Sequence, residues 1–299
     1  MEGARDFLKP SAVQLVYHHA PCDDGEAAAA LFWQSFPHIV FRGLHPKDKL
    51  LTDETRALVR GQCVVLVDVC WGEAEMRELC GLAAKVLVLD HHVTSQQTMQ
   101  TLQLPNLHCV FVMGEAGVSL AWRYLGGTAQ NLYDAFRYIG LRDVWRHKQC
   151  TDAVHFCAAF VKPKRWEDWV PYMSSSKATD ALIKRGRVIY EYQQQQLRVM
   201  AQKVVYKEWR NDGLRLAIVN VPYPWISEMG ELLCEQEPER TVAVIWNKSV
   251  GEPFSVSLRS HDELGPDVTI IAKEFGGGGH AHAAAFRLAL LPEAVLLGQ

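Results

Sequence analysis

Three times between Ala12 and His92 the chain repeats one pattern: a short apolar stretch, an acid or histidine cluster, then a helical pattern. Ala12 to Tyr17 runs into His18 and His19 and then Cys22, Asp23, Asp24 and Gly25. Cys63 to Val67 ends in Asp68, and Val86 to Leu89 ends in Asp90, His91 and His92. Apolar runs of this kind read as strands buried on both faces, the signature of a parallel sheet with helical crossovers. Each polar cluster then falls at a strand's carboxyl end, where open α/β sheets hold their ligands.

An acidic helix cap followed by surface histidines accounts for any one of these clusters. It does not account for three that parallel strands would bring to one rim. Carboxylates gathered there repel one another unless a cation neutralises them. Oxygen and imidazole donors together suit Mn²⁺, Mg²⁺, Fe or Zn²⁺ rather than Ca²⁺. Asp143, near the end of an amphipathic pattern over Asn131 to Val144, would be ordinary solvated surface by itself.

The remaining elements follow from the same reading. A helix over about Glu26 to Gln34 carries four alanines, which allow close approach to a sheet. Further strands are expected at Ile39 to Arg42 and Leu107 to Met113, with helices at Glu73 to Ala83 and Ser119 to Leu125. Gly117, at a helix start, reads as a plain turn or as a close approach to phosphate. Lys162, Lys164, Arg165, Trp166 and Trp169 either stack a base and hold a phosphate or form a surface helix packed through its tryptophans. Ser174 to Ser176 mark a break, and a long helix to about Tyr206 is expected as a connector. Beyond it come strands at Leu214 to Asn220, Thr241 to Asn247, Phe254 to Ser260 and Ala283 to Leu288, with helices from Ser227 and Asp267. The expected domains are 1–173, 174–206 and 207–299.

Gly276 to Gly279, followed by His280, are costly in conformational entropy, and a turn needs one or two glycines. Four imply a backbone lying against something, most simply a phosphate cradled by successive amides. Arg259 would add a bidentate fork for phosphate or carboxylate.

Composition limits the function. A net charge of −3 gives no basic excess for binding a long duplex. No apolar run reaches the length of a transmembrane span. The opening residues lack a signal-peptide core. Eight cysteines without a CxxC pair suit reduced thiols. A cytoplasmic protein with no membrane partner is expected, and a homodimer is compatible with the sequence.

Six ordered motifs now stand on the chain: YHHAPCDDG, VVLVDVCW, VLVLDHH, YIGLRDVW, SLRS with a downstream DV, and GGGGHAHAAAF. In these the sequence resembles, over nearly its whole length, the DHH phosphoesterases with a DHH-associated C-terminal domain, which include RecJ-like exonucleases and nano-RNase oligoribonucleases. The resemblance implies an N-terminal parallel-sheet domain, a connecting helix and a smaller C-terminal α/β domain with a mixed sheet, the active-site cleft lying between them. It implies one or two divalent ions, manganese foremost. On matching positions, one ion would take a first-motif histidine and Asp68. The other would take Asp24, Asp68, His91 and Asp143, with Asp68 bridging. His19 has the spacing of one clade and His18 that of other branches. His92 would face substrate with Asp90 orienting the site. Ser257, Arg259, Gly277, Gly278, Gly279 and His280 would hold the nucleotide. The family's Asp-x-Asp is here Cys22, Asp23, Asp24, and a thiolate at Cys22 would favour softer metals. The expected reaction is hydrolysis of short single-stranded RNA or DNA, or of related nucleotide phosphoesters, by an exonuclease-like enzyme. The alternatives are hydrolysis of a smaller phosphoester, such as a nucleoside bisphosphate, cyclic dinucleotide or polyphosphate, and a nucleotide sensor weakened through Cys22.

Overall fold

The computed structural model describes residues 1–45, 52–210 and 213–297, apart from the side chains of Thr94, Gln97, His280, Glu293 and Leu297. It divides into two compact units, Met1–Tyr190 and Glu191–Gln299.

In the first unit, helix α1 (Glu2–Phe7) precedes strand β1 (Leu15–His19), helix α2 (Asp23–Ser35) and strand β2 (Val40–Leu44). Helix α3 (Asp53–Val59) leads to β3 (Cys63–Val67), α4 (Glu73–Leu82), β4 (Lys85–Asp90), α5 (Val93–Thr101) and β5 (Leu107–Phe111). Helices α6 (Gly117–Tyr124), α7 (Asp134–Asp143), α8 (Thr151–Ala159) and α9 (Val170–Ser174) follow. The strands form one sheet in the order β2-β1-β3-β4-β5, and every described pairing is parallel. The order reverses between β1 and β3, which makes their carboxyl ends the topological switch point.

Alternation along each strand explains the two cores. Val65, Val67, Leu87 and Leu89 face Ala27, Ala28, Leu31 and Phe32 of α2 and Val118 and Leu120 of α6. Val64, Leu66, Val86 and Val88 face the other way, against Met76 and Leu79 of α4. Each such aliphatic side chain, fully withdrawn from water, contributes about 1.5–3 kcal/mol before entropy is counted. The alanines of α2 let it lie close to the sheet, which draws its first turn up to the end of β1.

Of the two readings of Lys162 to Trp169, packing through the tryptophans is the one the fold bears out, and the expected end of the long helix is revised. Trp169 is buried in the first core rather than offered to a ligand. Trp166 packs edge-on to His18, and Lys162 pairs with Glu26 at 2.8 Å. The long helix α10 (Ser176–Ala201) also stops before Tyr206. Val205 and Tyr206 open a strand instead, in keeping with the pleated preference of β-branched and aromatic residues.

The second unit holds β6 (Val205–Trp209), β7 (Leu214–Asn220), α11 (Ile226–Cys234), β8 (Thr241–Asn247), β9 (Phe254–Arg259), α12 (Thr269–Glu274), β10 (Gly278–His280), β11 (Ala283–Leu288) and α13 (Pro292–Leu297). Its sheet runs β10-β11-β9-β8-β7-β6, with β7 and β8 parallel and the other described pairs antiparallel. The sheet is therefore mixed, as the family resemblance implies. Among the described residues, no helix is long and apolar enough to cross a membrane.

Candidate metal centre

The carboxyl ends of β1, β3 and β4 carry His19, Asp68 and Asp90, and the start of α2 carries Cys22 and Asp24. A Cβ on Gly25 would meet the His19 carbonyl oxygen at 2.4 Å. Glycine there lets the first turn of α2 close on the strand end. Asp24 is 1% exposed, and both of its oxygens accept from the start of α6: Gly117 N–H donates to Oδ2 over 2.6 Å and Val118 N–H to Oδ1 over 3.0 Å. Gly117 is thus neither a plain turn nor, in this arrangement, a phosphate contact. A Cβ at Gly117 would stand 2.7 Å from the Cβ of Asp68 and 2.8 Å from Oδ2 of Asp24.

Asp68, 1% exposed, sits at the centre of the cluster with a left-handed backbone, φ 60. Few non-glycine residues adopt that conformation, aspartate and asparagine among them, and such outliers gather at functional sites. His91 Nε2 lies 3.0 Å from Asp68 Oδ1 and 3.3 Å from Asp143 Oδ2. His19 Nδ1 lies 3.3 Å from Asp68 Oδ2, out of hydrogen-bond alignment. Asp90 is wholly buried and accepts the amides of His91 and His92 through Oδ1, which also stands 2.7 Å from His92 Nδ1.

Among the described residues, metal-capable atoms fall into three overlapping groups, each within 4.8 Å: His19, Cys22 and Asp68; Asp24, His91 and Asp143; Asp68, Asp90, His91 and His92. His18 belongs to none of these groups. It is 5% exposed, and burial holds its imidazole pKa down at about 4. Of the two first-motif histidines, the structure brings His19 to the cluster. The period-two alternation of β1 separates the neighbouring rings.

Burial, then the charges of Asp68 and Asp143, raises the Asp24 carboxyl well above its ordinary range, although the α6 amides pull the other way. Burial and the Asp68 charge push Asp143 up to about 6. Burial works against Asp68 too, but the imidazoles of His19 and His91 outweigh it and hold the carboxyl low. His92 would be lowered by burial, yet the Asp90 carboxylate raises it to about 9. Carboxylates and imidazoles thus crowd one space, in which Asp24, Asp68 and Asp90 are withdrawn from water and His19, His91, His92 and Asp143 are partly exposed. His19 Nδ1, Asp68 Oδ2 and Asp143 Oδ2 are buried without a well-formed hydrogen bond. Such orphaned atoms cost about 1–3 kcal/mol each, more when charged. A divalent cation fits this donor set and would satisfy them.

In the second unit, Ser257 and Arg259 lie two apart on β9 and share a face of the sheet. Arg259 packs against Gly230 of α11, where a Cβ would meet its Cγ at 2.6 Å, and its Nη1 donates to the Leu258 carbonyl over 2.9 Å. The register sets Arg259, Ala283 and His280 abreast, although the His280 side chain lies outside the described residues. The glycine run has an internal cause that sequence did not reveal. A Cβ on Gly277 would meet the Ala285 carbonyl oxygen at 2.1 Å, and one on Gly279 would meet the Ala283 carbonyl oxygen at 2.5 Å. Gly276 has φ 72, while Gly278 has open space where a Cβ would stand. The backbone these glycines lie against is therefore β11, and Gly278 is left facing open space.

No family model matches the chain. Over 296 residues it is 26% identical to uncharacterized protein R106 of Acanthamoeba polyphaga mimivirus, covering 91% of this chain and 66% of that protein. The chain thus spans a little under two thirds of that relative's length. Among solved structures, a DHH domain described as a member of the s1p family of ribosomal proteins superposes with a TM-score of 0.61 at 15% identity, covering 99% of this chain and 88% of its own. The pGpG-specific phosphodiesterase PggH from Vibrio cholerae superposes with a TM-score of 0.52 at 13% identity, covering 96% of each chain. With its switch-point cluster and these matches along nearly its full length, the chain has the fold of the DHH-domain proteins.

Proposed function

We propose that the chain is a metal-dependent phosphoesterase of the DHH type that hydrolyses short oligonucleotides or related nucleotide phosphoesters. One observation carries this reading. His19, Asp24, Asp68, His91 and Asp143 converge at the switch point of a parallel sheet, with buried donor atoms left unsatisfied. His19 and Asp68 would hold one ion, and Asp24, Asp68, His91 and Asp143 a second, with Asp68 common to both. Their oxygen and imidazole atoms suit manganese. When bound, such cations supply Lewis acidity that offsets phosphoryl charge and acidifies water.

The chain's own side chains do the rest. Asp90 fixes the His92 ring through Nδ1, which leaves Nε2 as the atom that gives a proton to the departing ester oxygen. The same carboxylate keeps that ring protonated at neutral pH. Ser257, Arg259, the amide of Gly278 and His280 are the groups assigned to hold the nucleotide in the second unit. Short substrates are favoured by the net charge of −3, which offers little to a long polyanion. The pGpG specificity of PggH supports the same size range.

The test is hydrolysis of 5′-labelled oligoribonucleotides a few residues long, with Mn²⁺, Mg²⁺, Zn²⁺ or chelator. Stepwise shortening that chelator and Asp68→Asn both abolish is the expected result. A folded Asp68→Asn protein with undiminished turnover, or no cleavage with any divalent ion, would overturn the proposal.

A further inference from the structure

The two halves of the candidate centre are chemically unequal. Asp24, His91 and Asp143 offer two carboxylates and an imidazole, a hard set that suits Mn²⁺ or Mg²⁺. His19, Cys22 and Asp68 offer an imidazole, a sulfur and a carboxylate within 4.8 Å of one another. All eight cysteines are free thiols, and among the described residues Cys22 is the one that joins a metal-capable group. Cys157 and Cys234, by contrast, sit near backbone carbonyls in the manner of packed thiols.

Packing alone does not explain Cys22. It caps the start of α2 with extended backbone, beside His19 Nδ1 and Asp68 Oδ2, which face each other at 3.3 Å without an aligned hydrogen bond. Asp68 is 1% exposed, and its Oδ2 has no hydrogen bond; His19 Nδ1, facing it, has none either. A purely structural thiol would leave this buried pair without an aligned hydrogen bond. An ion held between sulfur, nitrogen and oxygen satisfies all three donors at once.

Building on the phosphoesterase reading, we propose that this is a mixed-metal centre. The His19–Cys22–Asp68 half selects a borderline-soft dication of the zinc class through a sulfur bond, and the Asp24–His91–Asp143 half takes a hard one. Binding converts the Cys22 thiol to a metal-bound thiolate and releases its proton to solvent. Cys22 is then a residue that sets metal identity rather than one that touches the reacting phosphorus.

The test uses chelator-stripped full-length protein titrated with Co²⁺, whose sulfur-to-metal charge-transfer absorption reports a thiolate ligand without any need for turnover. Wild type should develop that absorption, and Cys22→Ser should lose it while still binding cobalt in the other half. Metal analysis after exposure to equimolar Zn²⁺ and Mn²⁺ should find one of each in wild type. In Cys22→Asp, which restores a carboxylate, the zinc should be replaced by manganese. Cobalt binding with no charge-transfer absorption in wild type, or with the same absorption in Cys22→Ser, would overturn the mixed-metal proposal and leave the phosphoesterase reading standing. No cobalt binding in folded wild type would defeat both. Circular dichroism confirms folding, and Cys22→Asp serves if Cys22→Ser does not fold.

Discussion

The amide of Gly117 donates to Oδ2 of Asp24 over 2.6 Å, joining residues 93 apart in sequence at the base of the candidate centre. A methyl group there would press on Asp24 and on Asp68 at once. Gly117→Ala should therefore cost about 1–3 kcal/mol, the usual range for overpacking a tight site. It should also weaken divalent-ion binding. Urea denaturation with and without Mn²⁺ measures both.

Asp68 separates charge from conformation. Asp68→Asn keeps a residue that tolerates φ 60, whereas Asp68→Ala does not. Both variants should lose hydrolysis. The alanine variant should also be less stable than the asparagine variant by about 1 kcal/mol. Equal urea midpoints for the two would show that the backbone at 68 relaxes on substitution.

Asp143 makes the metal-free protein sensitive to pH. Its folded pKa, about 6 through burial and the nearby Asp68 charge, lies above the ordinary 3.8. A carboxyl raised on folding binds more protons in the folded state. Its stabilisation is complete below the unfolded value and is lost as pH rises through about 6. His18 and His147, held at about 4 by burial, act in the opposite sense up to about 6.5. The contrast with Asp143→Asn removes their contribution. From pH 4 to 7, metal-free wild type should lose stability relative to that variant, and saturating Mn²⁺ should reverse the loss. Thermal melting across this range provides the measurement.

His92 should act through its proton. His92→Gln should lower kcat by about a hundred- to ten-thousand-fold, the range for loss of a general acid, with a small change in KM. Burial lowers the His92 pKa, and the Asp90 carboxylate more than restores it, to about 9. Activity that needs the protonated ring should fall away above that pH. Asp90→Asn removes the charge, so its alkaline limb should move to lower pH. A pH–rate profile unchanged in Asp90→Asn would assign the proton to another group.

Much of the architecture was legible from local pattern. The runs at Val64 to Val67 and Val86 to Leu89 are apolar at every position because both faces of those strands are covered. That is a period a sequence carries openly. The acids at Asp68 and Asp90 could be placed at strand ends for the same reason. What could not be read was non-local. The capping of Asp24 by α6 depends on a loop far along the chain, and its one trace is Gly117 next to a helix start. The turning of His18 away from His19 is set by strand register, which spacing in the motif leaves open. The glycines at 277 and 279 answer to carbonyls on β11, a pairing that no periodicity announces.

The left-handed turn at Asp68 also restricts how this lineage can change. Glutamate, with an equal charge, gains nothing from that φ, while asparagine and glycine accept it at little cost. Mutational drift that spares the fold but silences the chemistry thus has two easy exits at this position. Homologues carrying Asn or Gly there should be the ones that have traded hydrolysis for binding.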